Sequence, residues 1–245
     1  MKGVVLAGGL GTRLSPMTRV VNKHLLDVFD EPMVYFPLRS LVAAGVTDIV
    51  LVTGQEIDQF RQLLGDGSEL GASIAYAVQE GEGGIADALA QAGPQLEGED
   101  AVVILGDNIF QDDLTPYVRA FQQQGGGARI LLKRVSPHDA RRFGVATVRG
   151  EQIIEIEEKP ERPQSDLVVT GCYMYDAEAF SIISGLQPSA RGELEITDVN
   201  NTYIRAGTMR FDILRGWWTD AGTSASKLKA SILVALAKGV TFDAS

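Results

Sequence analysis

The sequence has 245 residues, of which 45% are hydrophobic and 22% charged, and its formal net charge is −10 at pH 7. This balance suits one elaborated globular domain, and the acidic charge argues against binding to DNA or RNA, because nucleic-acid-binding domains usually carry a basic excess. The single cysteine excludes an internal disulfide, and the lack of a signal pattern or of an apolar run of about 20 residues predicts a cytoplasmic protein that does not span a membrane.

The first part of the chain alternates two kinds of pattern. Continuous runs of Val, Ile and Leu are typical of buried strands, and stretches with apolar residues at helical spacing separate them. This alternation predicts a mostly parallel sheet with helices on both faces, which is a doubly wound, Rossmann-like α/β pattern over residues 1–135. In chain order, we expect strands at residues 3–7, 48–54, 73–79, 101–108 and 128–135, and helices at 32–45, 56–65, 83–93 and 115–124.

Residues 136–245 have a different pattern. Two strand-like runs flank Arg149-Gly150 within residues 143–160 and predict a β-hairpin. Because no low-complexity linker divides the chain, we expect this hairpin region to be inserted in, or appended to, a single elaborated domain, with a cleft between the two parts. Further strands are expected at 167–176 and 209–216, and helices at 177–186, 193–207 and 226–239.

The stretch LAGGLGTR, residues 6–13, places three glycines and an arginine directly after the first predicted strand. Glycine lets the backbone approach a ligand closely, and successive amides form a nest for a phosphate. The stretch lacks the third glycine of a dinucleotide fingerprint and the Gly-Lys-Ser/Thr of a Walker loop, so a tight turn without a ligand is an equal alternative. Arg13 and Lys23, which follow the glycines, favour a polyphosphate ligand.

Several ordered motifs resemble those of the sugar-1-phosphate nucleotidylyltransferases. They begin with GGLGTRLSPMT, NKHLL and PMVYFPL, and continue through YAVQ, LGDN, FGV, EEKP, VVTGCYMYD, GELEITDVN and WWTDAGT. Within that family, the resemblance is greatest to the glucose-1-phosphate thymidylyltransferases, and it extends over nearly the whole chain. Because the chain ends at Ser245, we expect a short form without the C-terminal extension of longer relatives.

The resemblance implies a Mg²⁺-dependent enzyme that transfers a nucleotidyl group from dTTP to glucose 1-phosphate, giving dTDP-glucose and pyrophosphate. It also implies a homo-oligomer, a nucleotide-binding half at residues 1–135 and a sugar-binding half at 136–245. Open alternatives are the same reaction with UTP, CTP or another hexose 1-phosphate, and a non-catalytic sugar-nucleotide sensor on the same fold. A sensor would be expected to lose a metal carboxylate or a phosphate-binding cation, and this chain retains both kinds of group.

The resemblance assigns roles to particular residues. Asp107 and Asp220 would hold Mg²⁺, which proteins bind through one or two carboxylates plus substrate phosphates, although an aspartate after a strand is more often a turn former. Catalysis would depend on Arg13, Lys23 and Asp107. The nucleotide-binding residues would be Leu6, Gly8, Gly9, Gly11, Thr12, Arg13, Gln79, Gly84 and Asp107. The sugar-phosphate-binding residues would be Asn108, Gly144, Glu158, Lys159, Val169, Gly171 and Tyr173.

Solvent exposure is the simplest alternative for the charged and amide residues of this set, because Gln, Glu and Lys side chains are mostly exposed. Glu193 and Asp198 either orient the sugar or belong to a solvated acidic helix face. Three acids depart from the family pattern and bear on nucleotide binding. Asp27 and Glu31 are expected near the triphosphate, and Asp87 stands where the thymidylyl type usually has glutamine.

The implied reaction needs no general base, since the attacking oxygen belongs to a phosphate whose second pKa is about 6. This agrees with a chain that has only two histidines and one cysteine. Catalysis would then come from aligning two polyanions and offsetting their mutual repulsion.

Overall fold

The computed structural model describes residues 1–241, and within this range no helix combines the length and the hydropathy that a membrane span requires. The strands are β1 (Lys2–Ala7), β2 (Asp27–Val28), β3 (Glu31–Pro32), β4 (Asp48–Thr53), β5 (Ser73–Val78), β6 (Ala101–Leu105), β7 (Asn108–Phe110), β8 (Ala128–Arg134), β9 (Gly144–Arg149), β10 (Gln152–Glu158), β11 (Leu167–Tyr175), β12 (Met209–Ile213) and β13 (Trp218–Asp220). The helices are α1 (Tyr35–Ala43), α2 (Ile57–Leu64), α3 (Ile85–Leu96), α4 (Thr115–Gln124), α5 (Pro137–Ala140), α6 (Glu178–Ser184), α7 (Ile196–Arg205) and α8 (Ser224–Ala237).

Four parallel strands in the order β5-β4-β1-β6 form the centre of a mixed nine-stranded sheet. Strand β11 runs antiparallel beside β6, and the β9–β10 hairpin continues the sheet beyond β11. The parallel, Rossmann-like core and the hairpin that the sequence predicts are therefore confirmed. The antiparallel β11 joins the hairpin region to the parallel strands.

Strand β8 connects the two parts of the chain. It pairs antiparallel with β11 and parallel with β12, and both partners come from residues 136–245. The ladder between β8 and β11 is interrupted between Val169 and Tyr173, where β11 passes the site described below. Residues on either side of position 135 thus share one sheet, as expected of a single domain.

Strand β1 shows how the sheet separates two apolar layers. Val4 and Leu6 pack on one face with α3, α6 and α7, while Val5 and Ala7 pack on the other with α1, α2 and α4. Successive side chains of a strand point to opposite faces, so a strand that is buried on both faces reads as a continuous apolar run. Full burial of one Val or Leu side chain is worth about 1.5–3 kcal/mol, so these layers hold the sheet and its edge in place.

Two helices begin three residues later than their sequence patterns predict. Helix α1 begins at Tyr35 rather than at residue 32, because Glu31–Pro32 pairs with Asp27–Val28 in a short antiparallel ladder. Helix α7 begins at Ile196 rather than at residue 193, because Leu194 is tied to the segment before α3. The Leu194 N–H donates to the Gly83 carbonyl over 2.8 Å. This long-range pairing places the residues before α7 at the edge of the site.

Candidate functional site

The glycine-rich stretch leaves the carboxyl end of β1 and wraps around Lys23. Gly11 has a φ of 65°, which lies in the left-handed region that glycine adopts without strain. A Cβ at Gly11 would lie 2.8 Å from Lys23 Cβ and 2.9 Å from Thr18 Cγ2. The Thr18 hydroxyl also donates to the Gly11 carbonyl over 2.9 Å. Glycine is therefore required here for close contact with the segment that carries Lys23.

Asp107 follows β6 at the same edge of the sheet and is buried. Its Oδ2 lies 2.6 Å from Lys23 Nζ, and its Oδ1 accepts a 2.9 Å hydrogen bond from Asn108 Nδ2. Burial by itself would raise the pKa of Asp107, but the nearby Lys23 charge and these hydrogen bonds outweigh it and hold the pKa well below the usual range. The carboxylate is therefore ionised at neutral pH and presents negative charge to the site.

Asp220 reaches the same place from the other end of the chain. It ends β13, where it pairs opposite Asn108 of β7. A Cβ on Gly222 would lie 3.2 Å from Asp107 Oδ2 and 3.7 Å from Asp220 Oδ2, so the two carboxylates face a common point. Burial and the charge of Asp107 raise the pKa of Asp220, because both disfavour a second negative charge at this place.

This pair of carboxylates fits a divalent ion that is held jointly with a phosphate. Mg²⁺ typically takes one or two carboxylates and completes its shell with substrate phosphates and water. Within residues 1–241, no three His, Cys, Asp or Glu side chains gather as a metal-binding cluster, so the site does not form a closed protein cage. Two cations also stand at the carboxylates: Lys23 at Asp107, and Arg142, whose Nη2 is 3.4 Å from Asp220 Oδ2.

Gln79 and Gly84 lie together at the start of α3. Gln79 follows β5 and is buried, and its Nε2 donates to the Gly84 carbonyl over 3.0 Å. The same nitrogen donates to Asp87 Oδ2 over 2.7 Å. Asp87, one of the three acids that depart from the family pattern, therefore contacts Gln79, which the resemblance assigns to nucleotide binding.

Arg191 organises the opposite end of the site by approaching three carboxylates. Its Nη2 lies 2.7 Å from Glu195 Oε2 and 3.4 Å from Glu193 Oε2. It also lies 3.6 Å from Oε1 of Glu158, whose Oε2 accepts a 2.7 Å hydrogen bond from Thr197 Oγ1. The end of β10 and the start of α7 are thus joined by a network that contains both hydrogen-bond acceptors and a cation.

Asn108 stands beside the carboxylate pair and is held by several hydrogen bonds. Its Oδ1 accepts a 2.7 Å hydrogen bond from Trp218 Nε1 and a 3.1 Å hydrogen bond from the Gly171 N–H. A Cβ on Gly171 would lie 2.6 Å from Asn108 Cγ, so glycine at that position makes room for the amide. The side chain beside Asp107 is therefore fixed from both β11 and β13.

These residues surround a cavity of about 490 Å³, a volume typical of small-molecule sites. Gly11 and Thr12, which the resemblance assigns to the nucleotide, do not line this cavity and instead shape the turn that presents Arg13. The predicted residues that do line it are Leu6, Gly8, Gly9, Arg13, Lys23, Gln79, Gly84, Asp107, Asn108, Gly144, Glu158, Lys159, Val169, Gly171, Tyr173, Glu193 and Asp220.

Sequence reasoning missed several lining residues. Arg191 and Glu195 flank Glu193 within RGELEITDVN, so the charges of that motif are the signal that would have found them. Asp198 of the same motif is exposed on α7 and lies outside the cavity lining. The other lining residues that were not predicted include Arg142, Phe143, Thr170, Thr197 and Trp218.

The expectation that Asp27 and Glu31 lie near the triphosphate is corrected. Neither lines the cavity, and both face basic residues of the C-terminal segment. Asp27 Oδ1 lies 3.5 Å from Lys227 Nζ, and Glu31 Oε1 lies 3.1 Å from Lys238 Nζ. These acids therefore pair with cations about 200 residues away in the chain and add no charge to the site.

The model of the nucleotidyl transferase family matches residues 2–235. The chain therefore belongs to the nucleotidyl transferase family, and the protein is an enzyme of that class. Its curated relatives include glucose-1-phosphate thymidylyltransferases. The enzyme of Neisseria meningitidis is 45% identical over 240 residues, which cover 96% of this chain and 82% of the relative. The enzyme of Xanthomonas campestris is 43% identical over 235 residues, which cover 94% and 79%.

Solved structures agree with this assignment. A Bacillus anthracis protein, provisionally assigned as a glucose-1-phosphate thymidylyltransferase and solved in complex with sucrose, is 49% identical, with a TM-score of 0.91 over 99% of this chain and 97% of that one. UDP-glucose pyrophosphorylase complexed with UDP-glucose is 21% identical, has a TM-score of 0.86 over 96% and 98% of the two chains, and shares the fold. The family resemblance and the fold class inferred from the sequence are confirmed.

Proposed function

We propose that the protein transfers a thymidylyl group from dTTP to glucose 1-phosphate with Mg²⁺ as its cofactor, giving dTDP-glucose and pyrophosphate. The observation that carries this proposal is the meeting of Asp107, Asp220, Lys23 and Arg13 at one cavity beside the glycine-rich turn. The names of the curated relatives, which specify glucose 1-phosphate and a thymidylyl group, support the choice of substrates.

The cations of the site act where two polyanions must approach each other. Arg13 Nη2 lies 3.3 Å from the position of a Cβ on Gly222, which is the point that the two carboxylates also face. Asp107 and Asp220 would hold Mg²⁺, whose charge neutralises and aligns phosphate oxygens when it is bound. Arg13 and Lys23 add fixed positive charge, and such pre-aimed groups are worth several kcal/mol at the transition state.

The chemistry proceeds without a protein base. An oxygen of the sugar phosphate attacks the α-phosphorus, the bond to the β-phosphate oxygen breaks, and pyrophosphate leaves with the bonding electron pair. The attacking phosphate is already ionised at neutral pH, so no side chain has to remove a proton. His24 is unsuited to that role, because burial and the Lys23 charge lower its pKa to about 3, and burial raises the pKa of Cys172 to about 12.

The network around Arg191 suits a sugar phosphate. Glu158 would accept hydrogen bonds from sugar hydroxyls, while Lys159 and Arg191 would meet the phosphate. Lys159 has a φ of 45°, an uncommon conformation for a residue other than glycine, and such outliers concentrate at functional sites. The position of Lys159 at the cavity gives that conformation a functional reason.

The direct test is pyrophosphate release by the purified protein with Mg²⁺, over five nucleoside triphosphates and several sugar 1-phosphates. We expect the highest kcat/KM with dTTP and glucose 1-phosphate, and loss of activity when the metal is chelated. A different best pair would revise the substrates but keep the reaction. Absence of pyrophosphate with every pair would contradict the proposed reaction and favour the sugar-nucleotide sensor. The cytoplasmic location, the homo-oligomer and the division into nucleotide-binding and sugar-binding halves stay predictions.

The space between the carboxylates provides a further prediction. Gly222→Ala would place a methyl group 3.2 Å from Asp107 Oδ2 and 3.3 Å from Arg13 Nη2, without forcing a left-handed backbone on alanine. We expect kcat/KM to fall by about tenfold or more, because the methyl group occupies the space where the ion and a phosphate would meet. Steady-state kinetics over a range of Mg²⁺ concentrations measure the effect.

Gly185→Ala is the matched control for this variant. Gly185 ends α6, its φ of −95° suits alanine, and the nearest atom to an added Cβ is 3.6 Å away. We expect normal kinetics and a normal melting temperature. Normal kinetics in the Gly222→Ala variant as well would show that the point between the carboxylates is not used.

A further inference from the structure

The side-chain amide of Gln79 has both of its donors occupied and one acceptor left for a ligand. Its Nε2 donates to Asp87 Oδ2 over 2.7 Å and to the Gly84 carbonyl over 3.0 Å. An amide nitrogen has only two N–H groups, so both are used. The Oε1 atom lies on the side of Gly8, 2.9 Å from where a Cβ on that glycine would stand, and both residues line the cavity.

The carboxylate of Asp87 allows only one orientation of the Gln79 side-chain amide. An ionised carboxylate accepts hydrogen bonds but donates none, and a backbone carbonyl behaves in the same way. Turning the Gln79 amide over would therefore bring its oxygen against two acceptors. Gln79 is only 7% exposed, so an amide in the wrong orientation would not be rescued by water.

The surroundings of Asp87 hold its carboxylate in place. A Cβ on Gly83 would lie 2.5 Å from Asp87 Oδ2, so glycine at position 83 leaves room for the carboxylate. The other oxygen, Oδ1, receives a long 3.5 Å contact from Gln91 Nε2 on the next turn of α3. The acid is thus directed at Gln79 rather than into the cavity, and it does not line the cavity itself.

We propose that Asp87 is a positioning residue that sets base selectivity by fixing Gln79 as a hydrogen-bond acceptor. This inference rests on the proposed function, because it requires a nucleotide base at Gln79. Thymine and uracil carry a donor at N3, whereas cytosine carries a lone pair there. A fixed acceptor pairs with the first two bases and repels the third, and it does not distinguish thymine from uracil.

Asp87 also has a simpler role, as an acid in the first turn of a helix. A negative charge there stabilises the helix by interaction with its dipole. That role affects folding stability and acts equally on every nucleotide. Selectivity between bases is therefore the readout that separates positioning from structural support.

The test is Asp87→Asn, assayed with dTTP, UTP and CTP against glucose 1-phosphate. Asparagine presents a donor as well as an acceptor, so only the Gly84 carbonyl still opposes the second orientation of the Gln79 amide, and that orientation becomes populated. We expect the preference for dTTP over CTP, as a ratio of kcat/KM values, to fall about tenfold, the size expected for one charge-assisted hydrogen bond. The change should lie in KM, because a contact to the base is the same in the ground state and the transition state.

Three comparisons make this result interpretable. The ratio of dTTP to UTP should stay constant, since both bases carry the N3 donor. Asp87→Glu keeps an acceptor and should retain most of the preference over CTP. Asp58→Asn removes an exposed acid from the first turn of α2, away from the cavity, and should leave every ratio unchanged.

The outcomes separate the inference from the proposed function. An Asp87→Asn variant that keeps the wild-type dTTP:CTP ratio, or that loses activity equally with all three nucleotides, overturns the inference. If the Asp87→Asn variant does not fold, Asp87→Ala replaces it, because alanine removes the acceptor without adding a donor. Calorimetry then measures the binding of dTDP and CDP, and a wild-type ratio of the two affinities overturns the inference. A wild-type protein that prefers CTP to dTTP overturns the inference and keeps nucleotidyl transfer. A wild-type protein without any nucleotidyl transfer removes the proposed function and the inference together.

Discussion

Replacement of Asp107 by asparagine is expected to lower kcat by about 10²–10³-fold, the range found when one electrostatic group is removed from a transition state. Asparagine has nearly the same shape as aspartate, so the change is one of charge. The site keeps Asp220 but loses the carboxylate that Lys23 approaches to 2.6 Å. Under the proposed function, this loss would weaken the hold on the divalent ion and would release the lysine from its place at the phosphates. Pyrophosphate release at saturating substrates and Mg²⁺ measures the loss.

Stability has to be measured beside activity in this variant. Both Lys23 and Asp107 are largely buried, and removal of one partner of a buried ion pair costs about 3–5 kcal/mol. Thermal unfolding will show whether the purified variant is folded at the assay temperature. Asp113→Asn is the matched control, because Asp113 is exposed, lies outside the cavity and serves only the start of α4. A folded Asp107→Asn variant with near-normal kcat would contradict both roles assigned to this carboxylate.

The sequence predicted those parts of the fold that depend on local signals. Helix α4 was expected at residues 115–124 and spans Thr115–Gln124, because proline at its start and Gly125 at its end, with a φ of 74°, mark both boundaries. The hairpin at Arg149-Gly150 is encoded in the same local way. The partners of β8 could not be predicted, since a strand that is buried on both faces carries no signal for which strand lies beside it.

The site shows the same division between local and long-range information. Asp107 and Asp220 were predicted because each follows a strand and the resemblance marks both. Their common point depends on pairing between β7 and β13, which no local pattern specifies. Arg142 was missed because its partner, Asp220, is distant in the sequence. Arg191 was missed although Glu193 and Glu195 are its neighbours in the chain, because no local pattern shows that this charged motif reaches the cavity. The positions of Asp27 and Glu31 were predicted wrongly, because the lysines that they pair with are distant in the sequence.

Arg13→Ala is expected to lower kcat/KM for the nucleotide by about 10²-fold, on the scale of one lost electrostatic contact at the transition state. Arg13 is exposed at the mouth of the cavity, and its Nη2 approaches the point that Asp107 and Asp220 face. Under the proposed function, its charge would act on phosphate oxygens as negative charge is redistributed during the reaction. The loss should appear mainly in kcat, with a smaller rise in KM, because the contact strengthens in the transition state.

Two variants decide whether the effect belongs to this guanidinium. Arg19→Ala removes an exposed arginine six residues further along the same segment, outside the cavity lining, and we expect normal kinetics for it. Arg13→Lys keeps the charge but loses the planar fork that binds two phosphate oxygens, and we expect an intermediate kcat. Equal losses in the Arg13→Ala and Arg19→Ala variants would mean that net charge near the turn, rather than a directed contact, supports turnover. If Arg13→Ala raised KM without lowering kcat, the role of Arg13 would be to capture the anion and not to stabilise the reacting phosphates.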